Sequence, residues 1–196
     1  MTTVPTNTLI LAIVLIVLAV AVVAWLVMQK QRSLKLKQRF GPEYDRAVSE
    51  FGTTKAEAEL LKREQRVAGL NIIPITAVDA ARFSNAWSVL QSRFVDNPKG
   101  VVAEADALVR ELMLKRGYPM GDFEVRAADI SVDHPNVVKN YRAAQAIAVR
   151  DARGEADTEE LRKAVVHYRT LFDELLGVVP VKAAAEPAVR GVPVRS

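Results

Sequence analysis

The chain has 196 residues, of which 27 are basic, 23 are acidic and none is cysteine. Without cysteine, disulfides, thiolate nucleophiles and cysteine-ligated zinc or iron–sulfur sites are excluded. The net charge of +4 is unevenly distributed, since residues 30–39 contribute +5 and residues 177–196 contribute +2, which leaves −3 for residues 40–176. A mildly acidic folded region argues against a basic face for DNA or RNA, so we expect no nucleic-acid partner.

Residues 9–28 read LILAIVLIVLAVAVVAWLVM and contain no charge, proline or glycine. As a helix they would cover about 30 Å, the thickness of a bilayer's hydrocarbon core, with Trp25 near one interface. A signal peptide fits less well, because residues 1–8 lack a basic side chain and the apolar run is longer than roughly 15 residues. A buried core helix is the other alternative. The sequence therefore predicts one transmembrane helix in contact with the lipid bilayer.

Basic side chains flank this segment on one side only. Residues 1–8 carry none, whereas the following segment carries five basic residues and no acid, namely Lys30, Arg32, Lys35, Lys37 and Arg39. The positive-inside rule places this basic segment and the rest of the chain in the cytoplasm. The same side chains could bind anionic lipid, at roughly 1 kcal/mol each near the membrane surface. A pure topology signal is the simpler interpretation.

Residues 40–176 are predicted to form an all-α domain, a soluble bundle of five or six helices, because apolar residues recur there at helical spacing. Gly41 should end the continuation of the membrane helix. Residues 70–75 should form an extended connector, since Pro74 interrupts a short apolar run, and residues 122–130 suit a short helix or a turn. Predicted capping or first-turn residues are Pro42, Thr54 with Glu57, Thr76 with Asp79, Asn97, Asp133 and Thr158. Glycines predicted to end helices are Gly52, Gly69, Gly117 and Gly177.

Two of the predicted helices differ in character. The helix after Thr76 carries Phe83, Trp87, Leu90 and Phe94 at i, i+4, i+7 and i+11, a stripe that is typical of a core. The helix over residues 54–67 is highly charged, with a narrow apolar stripe, and is predicted to lie on the surface or to reach toward the basic segment.

These patterns divide the chain into five parts. Residues 177–196 contain three prolines, a run of three alanines and no aromatic residue, a composition that predicts a disordered tail. The predicted parts are an extracytoplasmic N-terminus (1–8), a transmembrane helix (9–28), a basic juxtamembrane segment (29–39), a helical cytoplasmic domain (40–176) and the tail (177–196).

The candidate chemistry centres on the chain's two histidines, His134 and His167. If residues 129–134 were helical, Asp129 and Asp133 would share a face at i, i+4, and His134 beside them could complete a hard-metal or general-base site. Pro135 favours instead a helix that begins there, with Asp133 as its cap. An arginine that follows a half-buried tyrosine can also grip a phosphate or carboxylate. The candidate pocket comprises Asp129, Asp133, His134, Tyr141, Arg142 and His167.

The sequence contains none of the common nucleotide-binding, α/β-hydrolase or zincin motifs. We therefore assign no catalytic residue, metal ligand or cofactor.

Four stretches resemble one known family. They read RFGPEYDRAV, WSVLQSRFVDNPKGVVAEADALV, RGYPMGDFEVRAADISVDHPNVVKNYR and TEELRKAVVHYRTLF, and together they cover most of residues 39–176. The family consists of uncharacterised bacterial single-pass membrane proteins that join one N-terminal membrane helix to a helical cytoplasmic domain. The resemblance implies a bacterial plasma membrane and one cytoplasmic domain, and it carries no activity with it.

Three functions are compatible with these features. The first is a membrane-anchored interaction or scaffold domain with a protein partner. The second is an enzyme or small-ligand binder that uses the candidate pocket. The third is a module that responds to anionic lipid through the basic segment.

Overall fold

The computed structural model describes residues 6–177, with side chains from residue 14 onward, and this range contains eight helices and no strand. The predicted all-α class is confirmed. Residues 178–196 of the predicted tail and most of the predicted extracytoplasmic segment lie outside the described residues. The helices are α1 (Thr6–Phe40), α2 (Pro42–Phe51), α3 (Thr53–Ala68), α4 (Ala77–Ser92), α5 (Pro98–Lys115), α6 (Phe123–Asp133), α7 (Pro135–Ala152) and α8 (Thr158–Leu176).

Seven helices follow α1 in the described chain, where five or six were predicted. The region left open between helix and turn is α6, a full helix of 11 residues. Its first turn is capped by the Asp122 side chain, which accepts a hydrogen bond from the Val125 backbone N–H at 2.9 Å. Its buried face includes Ala127 and Ile130, so packing and capping together stabilise a complete helix.

Helix α1 runs through the predicted transmembrane and basic segments without a break. From residue 14 it is long and apolar enough to cross a membrane, and none of its most apolar window is buried by the described chain. The core-helix alternative is therefore wrong. Gly41, with a φ of +49°, ends the helix as predicted, and Pro42 begins α2.

The end of α1 packs with α2 and α3 to form what we call the α1–α3 core. Leu36 and Phe40 of α1 are buried against Tyr44 of α2 and Leu60 of α3. The charged helix α3 lies on the surface, as predicted, and its narrow apolar stripe of Ala56, Leu60 and Val67 is buried in the α1–α3 core. Its reach toward the basic segment is confirmed by Glu64, which accepts a hydrogen bond from Arg39 at 2.5 Å.

Helices α4 to α8 enclose a larger bundle core. The predicted aromatic stripe lies in it: Phe83, Trp87 and Leu90 are buried and Phe94 is partly buried. Trp87 packs on Phe172 of α8 with ring centroids 4.7 Å apart. This stripe therefore holds α4 onto the bundle.

The connector over residues 70–75 joins the two cores, and Leu70 and Ile72 pack against both. The Ile73 N–H donates to the Arg116 carbonyl oxygen at 2.9 Å. At Gly117, φ is +95°, and a Cβ atom would lie 2.4 Å from the Asn71 carbonyl oxygen. Only glycine fits this close approach, which fixes the connector against the end of α5.

Two predicted N-caps are confirmed. Thr76 accepts from the Asp79 N–H at 3.1 Å, and Asn97 accepts from the Gly100 N–H at 3.0 Å. Gly177 ends α8 in the left-handed conformation, also as predicted. Helix α8 begins at Thr158, as predicted, and the preceding Asp157 caps it through a capping box with Glu160.

Two predicted caps are wrong. Helix α3 begins at Thr53 after Gly52, and Glu57 accepts from the Tyr44 hydroxyl at 3.0 Å instead of closing a capping box with Thr54. Asp133 ends α6, and His134 occupies the N-cap position of α7. In each case a neighbouring residue, or a tertiary partner, takes the place of the predicted local contact.

Candidate functional site

The six side chains of the candidate pocket form hydrogen bonds with different neighbours. Within the described residues, no hydrogen-bond partner is shared between any two of them. The structure therefore gives each residue its own environment. The pocket remains a prediction without support from these contacts.

Asp129 is fully buried on α6 and links it to α3. Its Oδ1 accepts a hydrogen bond from Arg66 Nε at 2.7 Å, and Arg66 Nη2 forms an ion pair with the same atom at 2.6 Å. Oδ2 has no hydrogen-bond partner among the described residues. A buried carboxylate needs such charge-assisted contacts, so we assign Asp129 a structural role that holds α6 against α3.

Asp133 accepts a hydrogen bond from the Tyr118 hydroxyl at 3.0 Å. Asp133 itself is exposed, whereas Tyr118 is almost fully buried. Burial, together with the nearby charge of Asp133, raises the pKa of Tyr118 well above its usual value. This tyrosine therefore stays neutral, and its hydroxyl donates a hydrogen bond to the aspartate.

His134 lies between Arg116 and Glu174. Its Nε2 is 3.3 Å from Arg116 Nη1, and its Nδ1 is 3.0 Å from Glu174 Oε1. Because arginine can only donate, Nε2 is the acceptor, and Nδ1 carries the proton that is donated to Glu174. Arg116 also donates to the Leu175 carbonyl oxygen at 3.1 Å. Arg116 and His134 together thus bind polar groups at the C-terminal end of α8.

Tyr141 of α7 and His167 of α8 bind different partners. The buried Tyr141 hydroxyl accepts from Arg126 Nε at 3.1 Å, and its ring packs on Phe123 with centroids 4.8 Å apart. Burial raises the pKa of Tyr141, although the hydrogen bond from Arg126 acts in the opposite direction. His167 Nδ1 lies 3.0 Å from the side-chain oxygen of Asn140.

Arg142 binds Glu43 of α2, 99 positions earlier in the chain. Its Nε and Nη2 donate to the two carboxylate oxygens at 3.1 and 3.3 Å, and its Nη1 donates to Glu124 at 2.6 Å. Burial disfavours the charged guanidinium, but these bonds more than offset that cost and raise the pKa of Arg142. Arg142 therefore binds carboxylates, as predicted, and these carboxylates belong to Glu43 and Glu124 of the same chain.

Glu43 is also approached by two further arginines. Arg46 Nη1 and Arg63 Nη1 each lie 3.8 Å from its Oε2. The Arg63 side chain is only 7% exposed, and sequence reasoning overlooked it. A signal was present, since Arg63 falls on the stripe of Ala56, Leu60 and Val67 at i, i+4, i+7 and i+11, and a charge on an apolar stripe predicts a buried partner. The cluster joins α2, α3, α6 and α7 through ion pairs.

The structure divides the five residues of the basic segment into two groups. Lys37 Nζ lies 3.0 Å from Asp45 of α2, and Arg39 binds Glu64 of α3. Within residues 14–177, Lys30, Arg32 and Lys35 have no carboxylate within 4.0 Å. Two basic residues thus hold the helices together, and three retain unneutralised charge.

Two cavities lie between α1 and α3. One, of about 500 Å³, is lined by residues that include Trp25, Gln29, Arg32, Thr54 and Glu57. The other, of about 460 Å³, is lined by residues that include Arg32, Lys35, Arg39, Leu61 and Glu64. Arg32 and Met28 line both, so the two cavities are neighbouring parts of one α1–α3 groove.

A further groove, of about 410 Å³, lies between α4 and α5. Its apolar lining includes Ala86, Val89 and Leu108. Ion pairs between the two helices border it, formed by Arg93 with Glu104 and by Arg82 with Glu111. An apolar floor with charges of both signs at its edges is a surface that a second helix could cover.

No group of three or more His, Asp or Glu side chains suited to a metal ion occurs within the described part of the chain. In comparisons with known proteins, the chain matches no protein-family model, no curated protein and no solved structure. The resemblance to bacterial single-pass membrane proteins therefore remains a prediction from the sequence motifs.

Proposed function

We propose that the chain is a single-pass protein of the bacterial plasma membrane whose helical domain acts as an interaction scaffold at the cytoplasmic surface. The observation that carries this proposal is the continuity of α1. Its apolar residues 14–28 are exposed on every side, while Leu36 and Phe40 near its end are buried in the α1–α3 core. A helix that is apolar on every side needs lipid or another apolar surface around it.

Continuity has a mechanical consequence. No flexible linker separates the apolar part of α1 from the domain, so the helix and the α1–α3 core move as one body. The domain would be held close to the membrane in a fixed orientation rather than tethered at a distance. A fixed orientation suits a scaffold, because the same surface of the domain is then always accessible to its partner.

The groove between α4 and α5 is the surface that we assign to the protein partner. Val78 and Val89 are 81% and 58% exposed, and they lie on one face of α4, three turns apart. An amphipathic helix of the partner would place its apolar side against Val89 and Leu108 and its charged flanks against the bordering ion pairs. Removal of exposed valine surface from water would contribute to affinity.

The topology can be tested directly, because the chain contains no cysteine. Single-cysteine variants T3C and S92C would be treated with a membrane-impermeant maleimide in intact cells. We expect labelling of T3C alone, and labelling of S92C only after the membrane is opened. Labelling of S92C in intact cells would overturn the cytoplasmic assignment.

The partner surface can be tested by photo-crosslinking in cells from the exposed position Asn85 on α4. We expect an adduct with a partner protein that disappears in V89E, because a buried, unpaired carboxylate is costly in an apolar interface. The matched control is V166E, at a position on α8 that is similarly exposed, at 52%. An adduct that persists in V89E, or no adduct in the wild type, would contradict the proposal.

A further inference from the structure

We propose that the α1–α3 groove binds the phosphate headgroup of an anionic phospholipid and thereby docks the corner between α2 and α3 on the membrane surface. This inference rests on the insertion of α1 that we proposed above. It adds a specific lipid site to that function.

The residues of the basic segment differ in whether they have an ion-pair partner. Lys37 and Arg39 are neutralised by carboxylates of α2 and α3, whereas Arg32 and Lys35 line the groove without an ion-pair partner in residues 14–177. Unpaired arginine and lysine side chains beside a membrane attract anionic headgroups. Arginine also binds phosphate oxygens through two N–H groups at once.

The acidic residues of the groove cancel this charge only in part. Glu64 pairs with Arg39, whereas Glu57 accepts a hydrogen bond from the neutral Tyr44 hydroxyl at 3.0 Å and keeps its charge. The lining of the two cavities thus contains three basic residues and two acidic ones. One net positive charge remains, and neither Arg32 nor Lys35 is tied up in an ion pair within residues 14–177.

Arg32 lies close to the depth at which lipid headgroups are expected. Arg32 lies seven residues beyond Trp25, which corresponds to about 10 Å along the helix axis. If Trp25 lies at the interface, as tryptophan prefers, the Arg32 side chain lies in or next to the headgroup layer, which is roughly 5–8 Å thick. The groove therefore opens at the height where lipid phosphates occur.

The corner between α2 and α3 lies beside the part of α1 that contains Trp25. Helix α2 returns alongside α1 for 10 residues, as the contact between Lys37 and Asp45 requires, and the chain then turns at Gly52. As a result, Thr54 lines the same cavity as Trp25. Next to this corner, Phe51 is 44% exposed, and Lys55 is exposed as well. An exposed aromatic ring and a lysine suit contact with a bilayer surface.

The composition of the walls favours a lipid over a soluble phosphate. Trp25 and Met28 form an apolar wall next to Arg32. A phospholipid joins its phosphate to apolar acyl chains. The phosphate would contact Arg32, and the adjoining acyl chains would contact Trp25 and Met28. A free phosphate ion would leave the apolar wall without a partner.

The test uses the full-length chain in phosphatidylcholine nanodiscs. A fixed fraction of the lipid is replaced by brominated phosphatidylglycerol or by brominated phosphatidylcholine, and quenching of Trp25 fluorescence is measured. Trp87 is 1% exposed in the bundle core and provides a constant background. We expect brominated phosphatidylglycerol to quench Trp25 about twofold more strongly, because the site enriches anionic lipid around α1.

The matched variants each remove two positive charges from the basic segment. We expect R32Q/K35Q to reduce the quenching ratio to about one and K37Q/R39Q to leave it near the wild-type value, because only the first pair has charge to offer. Thermal unfolding of both variants confirms that each is folded. A wild-type ratio near one, or an equal loss of selectivity in both variants, would overturn the proposal.

Added inorganic phosphate separates the two sources of the anion. At constant ionic strength, phosphate should leave the quenching ratio unchanged, and a loss of selectivity would show that the groove takes free phosphate instead of lipid. Failure of the membrane proposal itself looks different, because neither brominated lipid would then quench Trp25. Insertion without lipid selectivity gives equal quenching by both.

Discussion

The buried ion pair between Glu43 and Arg142 offers the sharpest test of how the two cores are joined. The Glu43 side chain is 4% exposed and accepts two hydrogen bonds from Arg142, which is itself 15% exposed. Removal of one partner of a buried pair costs roughly 3–5 kcal/mol, because the other charge stays buried. Arg142 would retain Glu124 at 2.6 Å, so we place E43A at the lower end, about 3 kcal/mol.

Two related variants separate charge from packing. E43Q keeps the shape and one acceptor and is expected to cost about 2 kcal/mol, the typical contribution of hydrogen bonds to a charged group. R142M removes the guanidinium that loses its Glu43 partner in E43A. The double variant E43A/R142M should therefore lose less free energy of unfolding than the two single variants lose together, by at least about 1 kcal/mol.

The free energy of unfolding would be measured by urea titration of the full-length protein in nanodiscs. A W25F background leaves Trp87 of the bundle core as the only fluorescent tryptophan. The control is E159A, which removes an exposed ion pair with Arg162 and should leave the midpoint unchanged. A coupling energy indistinguishable from zero, or an E43A midpoint equal to that of the control, would refute the reasoning.

Three further predictions concern single positions. G117A should destabilise the protein by about 3 kcal/mol, because a positive φ is combined there with a backbone clash. The control G154A also has a positive φ but meets open space, so it should cost only about 1 kcal/mol. Equal shifts of the urea midpoint in the two variants would contradict this. Burial holds the pKa of Tyr118 above the ordinary 10.0, so its neutral form stabilises the fold fully below about pH 10, and this contribution falls as the pH rises further. In Tyr118→Phe, the melting temperature should accordingly fall less steeply with pH above that value. The same slope in the variant and the wild type would contradict the prediction. F40A, at a fully buried position, should cost about 3–5 kcal/mol, whereas F51A, at a position 44% exposed, should shift the urea midpoint little; similar losses would show that the end of α1 is not packed as described.

The sequence alone was sufficient for features that depend on neighbouring residues. The start of α2 at Pro42, the caps at Thr76 and Asn97, and the buried stripe of α4 follow from local hydrogen bonds and the 3.6-residue period. The length and uniform apolar character of α1 identified a helix able to span a membrane. Each of these properties is encoded within a few turns of chain.

Tertiary structure decided which charges meet. Glu43 and Arg142 lie 99 positions apart, and no spacing rule connects them. Asp133 could cap a helix by local rules, but the hydroxyl of Tyr118 binds it across the fold. The basic segment shows the same division. Its five positive charges are evident in the sequence, whereas the return of α2 and α3 alongside α1 pairs Lys37 and Arg39 and leaves Arg32 and Lys35 without an ion-pair partner in residues 14–177. Local chemistry fixes the helices, and the partners of long charged side chains depend on which helices pack side by side.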